Sequence, residues 1–206
     1  MLTLATNLSR LRHRNRGHRK LPFPATPSQR IAQISAVSKP FDLAQPFSRD
    51  RWNELEAFRP RVLVGSTSDL QRLYCRVQAG GFDLSSLDHA VFVLTRCGLS
   101  PLSDVLRVSL WQAFGVPLFE LFISSRGRLL ASECEAHEGW HVEPGAKFSL
   151  VQAKLLLDVP LRKGVQTGLT AEFDQTPCPC GREGLRLMKI DAHAAWAVQK
   201  ELAASA

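Results

Sequence analysis

From residue 60 onward the chain alternates short apolar runs with amphipathic stretches of helical period. "RVLVG" (61–65) is an apolar run stopped by glycine and predicts a buried strand. Ser66 follows as an N-cap with Asp69 three residues on, and Leu70, Leu73, Tyr74 and Val77 fall at i, i+3, i+4 and i+7 before Gly80 and Gly81. "HAVFVLT" (89–95) reads as the next strand. Ser100 then offers an N-cap with Pro101 at the first helical position, and Leu102, Leu106, Leu110 and Phe114 form an i+4 row closed by Gly115. "VPLFELFIS" (116–124) is a third strand. Strand, helix, strand, helix, strand, each short and apolar, predicts βαβ crossovers on a parallel sheet.

After residue 126 the helical period disappears. "RLLASECEA", "FSLVQAKLLLDV" and "GLTAEF" read as strands joined by turns, in a mixed or antiparallel continuation. "DAHAAWAVQKELAA" (191–204) predicts a closing helix capped by Asp191, burying Ala195, Val198 and Leu202. Upstream, "RDRWNELEAF" (49–58) predicts a helix and "SQRIAQISAVS" (28–38) a short one. Pro22, Pro24, Pro27, Pro40 and Pro46 interrupt anything longer.

Charge sharpens the division. The chain has 206 residues, a net charge of +7 and a pI near 9.5. Residues 1–41 contain no Asp or Glu but carry Arg10, Arg12, Arg14, Arg16, Arg19, Lys20, Arg30 and Lys39. Those eight positive charges exceed the whole-chain surplus, so the basicity belongs to the N-terminal arm. The expected organisation is a loosely packed basic Pro/Arg-rich arm over 1–47 and a single α/β domain over 48–206. An Arg-rich, acid-free start resembles an organellar transit peptide, and nucleic acid or an anionic surface would be met only through that arm. No stretch reaches the ~20 apolar residues that span a bilayer. The expected location is the cytoplasm.

The candidate chemistry lies in cysteines. Five occur, at 75, 97, 134, 178 and 180, an odd number that suits a reducing compartment better than a disulfide scaffold. In "TPCPCGREG" (176–184), Cys178 and Cys180 are too close in sequence for an unstrained disulfide, but a tight turn there aims both sulfurs at one point. "ECEAHEGWHVE" (133–143) supplies Cys134 and His141, with Gly139 permitting a turn between them. Cys134, His141, Cys178 and Cys180 make a Cys3His set of the closed structural-zinc type. On spacing alone His137 serves as well as His141. Glu133, Glu135 and Glu138 read as solvated charges. There is no Gly-x-Ser-x-Gly and no His-Glu-x-x-His. Cys97 sits beside Gly98 at a strand end, where open α/β sheets bind ligands, but no histidine partner for it is identifiable.

These segments carry a resemblance. Residues 94–142, with Phe114-Gly115 before a strand and Cys134, Gly139 and His141 after it, together with Cys178-Pro179-Cys180-Gly181-Arg182, resemble the phenylacetate–CoA ligase branch of the adenylate-forming enzymes. The resemblance covers roughly 60–190. It implies that Cys134, His141, Cys178 and Cys180 hold a structural zinc. It also implies a nucleotide site at which this chain departs from the family. Where the branch has Tyr-Gly-x-Ser/Thr-Glu, this chain has Phe122, Ile123, Ser124, Ser125 and Arg126. The family Glu faces magnesium and phosphate, so Arg126 inverts that charge. The family's ribose-binding Asp is replaced by Leu169, although Thr167 and Gly168 survive. "VGSTSD" lacks the glycine density of a phosphate loop, and a domain carrying the catalytic lysine has no counterpart. The resemblance therefore implies weak or no nucleotide binding and no adenylation by this chain alone. Three readings follow: a zinc-stabilised remnant acting as a binding or interaction module for an unidentified protein partner; one part of an AMP-forming carboxylate–CoA ligase completed by another chain; and an anionic-surface binder using the arm.

Overall fold

A computed structural model describes residues 30–34, 41, 43–159 and 162–192. Its frame is one eleven-stranded sheet of order β2-β1-β3-β4-β5-β6-β7-β11-β10-β9-β8. The parallel half comprises β1 (Ile31–Ile34), β2 (Ala44–Phe47), β3 (Val62–Ser66), β4 (Ala90–Arg96) and β5 (Leu118–Ile123). The antiparallel half comprises β6 (Leu129–Glu133), β7 (Trp140–Val142), β8 (Phe148–Val151), β9 (Lys154–Val159), β10 (Arg162–Asp174) and β11 (Arg186–Ala192). The helices are α1 (Trp52–Phe58), α2 (Thr67–Gln78) and α3 (Asp104–Phe114).

The α/β reading holds, with two corrections in the parallel half. It has five strands rather than three, and it begins inside the stretch read as a loose arm. Residues 31–34 form a strand, not a helix, and all four are buried between β2 and β3. The ordered domain therefore starts by Ile31, and the boundary at 47/48 does not divide it. Residues 1–29 and 193–206, including the expected closing helix, lie outside the described residues. Asp191, its expected cap, belongs to β11.

Strand alternation sorts the core into faces. Leu63, Val91, Val93 and Leu118 point toward α1–α3 and pack with Trp52, Leu55, Leu70, Leu73, Leu110 and Phe114. Val62, Val64, Phe92, Leu94, Phe119 and Leu121 point to the opposite face. A third cluster, with Phe122, Trp140, Phe148, Leu155, Leu169 and Leu187, fills the antiparallel half. Ser66 caps α2 as expected, its side chain accepting from the Asp69 backbone N–H. The α3 cap is Ser103, not Ser100, and accepts from the Leu106 N–H. Leu102 stays outside the helix because its N–H donates to the buried carboxylate of Glu120, 2.8 Å away.

Candidate metal centre

The thiols meet around β7, the second strand of the antiparallel half. β6 delivers Cys134 one residue past its end. The following turn closes with the His137 N–H donating to the Cys134 carbonyl at 2.9 Å. Gly139 then returns the chain into β7 with φ +78°. No other residue fits there: a Cβ would lie 2.4 Å from the Leu187 carbonyl oxygen and 2.5 Å from the Met188 sulfur. His141 follows in β7, paired with Arg186 of β11. On the other side, the Cys178–Gly181 turn is closed by the Gly181 N–H on the Cys178 carbonyl at 2.9 Å, and the Arg182 N–H reaches the Cys180 sulfur at 3.4 Å.

The Cys134 and Cys178 sulfurs are 3.6 Å apart, and the Cys180 sulfur is 3.4 Å from His141 Nε2. All four donor atoms lie within 4.8 Å of one another. A tetrahedral ion with bonds of ~2.3 Å to sulfur and ~2.0 Å to nitrogen needs about 3.8 Å between sulfurs and about 3.5 Å between sulfur and nitrogen. Both of those contacts are close to these spacings, and all four donors are near enough to share one ion. Cys134, His141 and Cys178 are buried and Cys180 is partly so. Burial pushes the Cys134 thiol up, with the neighbouring sulfurs adding to it. At Cys180 burial also raises the thiol, but the Arg182 N–H and the neighbouring thiols outweigh it and the net shift is downward. Burial, then the charges of Arg182 and Arg186, lower His141 and favour the neutral imidazole that binds metals. Its Nδ1 is buried without a hydrogen-bond partner among the described residues.

The alternative ligand His137 is elsewhere. Its Nδ1 lies 2.8 Å from Glu133, and its ring stacks on Phe119 at 5.2 Å. Glu133 is not a solvated charge either. It is buried, accepting from Arg107 at 3.1 Å and from the Glu120 N–H at 2.8 Å. Cys75 and Cys97 stand apart from the cluster. Burial pushes the Cys97 thiol up to about 11, the wrong direction for a nucleophile.

The positions implied for a nucleotide converge at the carboxyl ends of β4 and β5, the ligand-binding end of open sheets. The Cys97 N–H donates to the Ile123 carbonyl, and the Gly98 N–H to the Thr167 carbonyl at 2.6 Å. Their side chains do not present such a site. Phe122 is 0% exposed, packed on Trp140 and Phe148 at 5.3 and 6.2 Å, so stacking on adenine is closed to it. Leu169 is 1% exposed in the same cluster. Thr167 is buried, its hydroxyl donating to the Leu155 carbonyl at 2.7 Å. Gly168 takes φ +79° between them. Ser125 and Arg126 occupy the exposed turn between β5 and β6.

Sequence reasoning missed Arg186 and Glu120, and named Arg182 only as the last residue of the Cys-Pro-Cys-Gly-Arg motif. Arg186 gave no signal distinct from surface charge. Glu120 did: it is the one charged residue in "LFELFI", a strand buried at every position.

The sheet, with its candidate metal site, is similar in fold to that of solved CoA and acid ligases. Among solved structures, 2-hydroxyisobutyryl-CoA ligase in its open conformation with 2-HIB-AMP and CoA matches with a TM-score of 0.62 at 13% identity, covering 80% of this chain and 45% of the ligase. Coronafacic acid ligase from Pectobacterium brasiliense matches with a TM-score of 0.53 at 14% identity, over 80% of this chain and 40% of that one. VinN in complex with L-aspartate gives 0.53 at 11% identity, over 78% and 49%. The chain thus spans under half the length of these proteins. No family model and no curated protein matches the sequence.

Proposed function

We propose that this chain is a zinc-stabilised, non-catalytic binding or interaction module built on the adenylate-forming ligase fold, nearest in its cysteine motifs to the phenylacetate–CoA ligase branch. The observation that carries the reading is the meeting of Cys134, His141, Cys178 and Cys180 at tetrahedral spacing. Three thiolates and an imidazole suit zinc over magnesium or calcium. A closed set of four protein ligands leaves no position for water or substrate, so the ion's role is structural. Reduced thiols of this kind suit the cytoplasm.

The non-catalytic part rests on what surrounds the implied nucleotide site. Arg126 would meet magnesium with a positive charge. Leu169 supplies no acceptor for ribose, removing a charge-assisted pair worth roughly 1.5–3 kcal/mol. Phe122 and Leu169 are committed to the core. The match covers 40–49% of the solved ligases, so an AMP-forming ligase activity belongs to a second reading in which this chain is one part of the enzyme.

The test uses the purified 206-residue protein. Metal analysis should give one zinc per chain, lost in Cys178→Ser with a lower melting temperature and retained in Cys75→Ser and Cys97→Ser. Retention in Cys178→Ser with loss in either of the other two would overturn the ligand set. Pyrophosphate exchange with aryl and short acyl acids should stay at background. Magnesium-dependent exchange above background, lost in Arg126→Ala, would show a working site.

A further inference from the structure

Two arginines bracket the thiol cluster, and their hydrogen bonds run between the segments that supply the ligands. The Arg182 guanidinium leaves the Cys178–Gly181 turn and reaches back to the end of β6. Its Nη1 donates to the Ser132 hydroxyl at 3.1 Å, and its Nη2 to the carbonyls of Glu133 at 2.9 Å and Ser132 at 3.4 Å. The next residue is Cys134. Arg186, 2% exposed, works on the opposite side. Its Nη1 donates to the carbonyl and carboxylate of Glu138, in the turn between Cys134 and His141. Its Nη2 donates to Asp174 and to the carbonyl and hydroxyl of Thr176, just before Cys178. Each guanidinium therefore crosses from one ligand-bearing segment to the other. A planar fork with five donors can do this; a lysine cannot. In both residues Nε is buried with no acceptor among the described residues.

Charge points the same way. Zinc with three thiolates and a neutral imidazole carries one net negative charge in a mostly buried site, which requires compensation. Both cations sit beside the cluster: the Arg182 backbone N–H reaches the Cys180 sulfur at 3.4 Å, and Arg186 is the cross-strand partner of His141.

We propose that Arg182 and Arg186 are positioning residues of the metal centre: they clamp the 132–141 segment to the 174–182 segment before metal arrives and offset the charge of the thiolates once it is bound. The proposal rests on the metal reading above for its second half only. The clamp itself is a property of the metal-free chain.

The experiment compares the full-length wild type with Arg182→Met, Arg186→Met and the two Arg→Lys variants. In chelator-stripped protein, hydrogen-exchange mass spectrometry should show amides of 134–141 and 176–182 protected in the wild type. Protection should fall at least tenfold in each Met variant, with the β3–β5 amides unchanged. Unchanged protection of both segments in both Met variants overturns the clamp, whether or not the protein binds zinc. In metal-loaded protein, competition with a chromophoric chelator should show one zinc per chain bound ~10–100-fold more weakly in the Met variants. The Lys variants, which keep the charge and lose the fork, should fall between. With cobalt in place of zinc, the thiolate-to-metal absorption band should shift in the Met variants and return toward wild type in the Lys variants. A stoichiometric wild type with equal affinity and an unmoved band in the Met variants overturns the charge role and leaves the metal reading standing. A wild type that binds no metal sinks that reading and the charge role together. Should a Met variant fail to fold, its Lys counterpart carries both measurements.

Discussion

Glu120 should make this protein less stable as pH rises from about 4.5 to 7, and replacing it with glutamine should remove that dependence. The carboxylate lies in the middle of β5, 3% exposed. One oxygen accepts from the Thr95 hydroxyl at 2.7 Å and the Leu102 N–H at 2.8 Å, and the other faces Arg107 at 3.3 Å. Burial pushes its pKa up to about 7 from 4.5. The Thr95 and Leu102 donors oppose that shift, the nearby charge of Glu133 reinforces it, and Arg107 opposes it. The folded chain therefore holds a proton there that the unfolded chain releases. Stability is fully present below the unfolded value and declines as pH rises through the folded one. A shift from 4.5 to about 7 corresponds to about 3–4 kcal/mol at most. Glutamine keeps a neutral carbonyl to accept from Thr95 and Leu102, loses the titration, and forfeits an ionic contact with Arg107. Urea denaturation of wild type and Glu120→Gln from pH 4 to 8.5 measures this. The difference between the two curves cancels titrations common to both, those of the metal thiols included. The variant should gain on the wild type as pH rises and level off above about pH 7.5. A flat difference, or one in which the wild type gains, would refute the reasoning that burial outweighs the three donors.

Gly139→Ala should be destabilising by more than the ~1–3 kcal/mol of a strained left-handed backbone, because its Cβ collides with the Leu187 carbonyl, whereas Gly181→Ala meets open space and should show the backbone cost alone in thermal melts. Limited proteolysis should stop upstream of Ile31, not near residue 50. Ile34→Ala, which empties a fully buried position, should cost about 2–5 kcal/mol by denaturant titration; a product beginning at 50 with an unchanged midpoint would show that β1 contributes nothing.

The parts of the fold that were legible in sequence are those whose signal is local. β3, α2, β4 and β5 follow from apolar runs and a helical period, because each buries one face against a neighbour close in the chain. β1 was not legible. It is four residues long and has a glutamine in its middle, and Gln33 is buried only because its side chain accepts from the Phe41 N–H across the crossover. The start of α3 was misplaced for a similar reason. Ser100 and Pro101 satisfy every local rule for a helix start, but Glu120 holds Leu102 outside the helix through a bond spanning 18 residues. The Cys/His cluster was legible because thiols in a tight turn have few other uses; spacing alone left His137 and His141 open, the resemblance pointed to His141, and the β6–β7 register, which pairs Ser132 with His141, brings that residue to the thiols. Arg186 carries the same letter as any surface arginine and Arg182 was visible only as part of the Cys-Pro-Cys-Gly-Arg motif; what each one holds is a matter of three-dimensional placement.

The position of the thiol cluster in the sheet explains what a metal would do there. β4 pairs with β5 over six residue pairs, whereas β7 meets β6 over three and β11 over two. β7 is three residues long, so the continuity of the eleven-stranded sheet is weakest at β7, the second strand of the antiparallel half. Cys134 leaves β6 at that point, His141 lies within β7, and Cys178 and Cys180 precede β11 by a few residues. An ion held by all four would tie β6, β7 and the start of β11 together, closing a loop of more than 40 residues. The arginines reinforce the same joint from both flanks. Phe122, Trp140, Leu169 and Leu187 fill the interior behind it. Side chains committed to sheet continuity cannot also line an open nucleotide cleft. The packing that turns Phe122 and Leu169 inward is thus the packing that backs the Cys/His cluster.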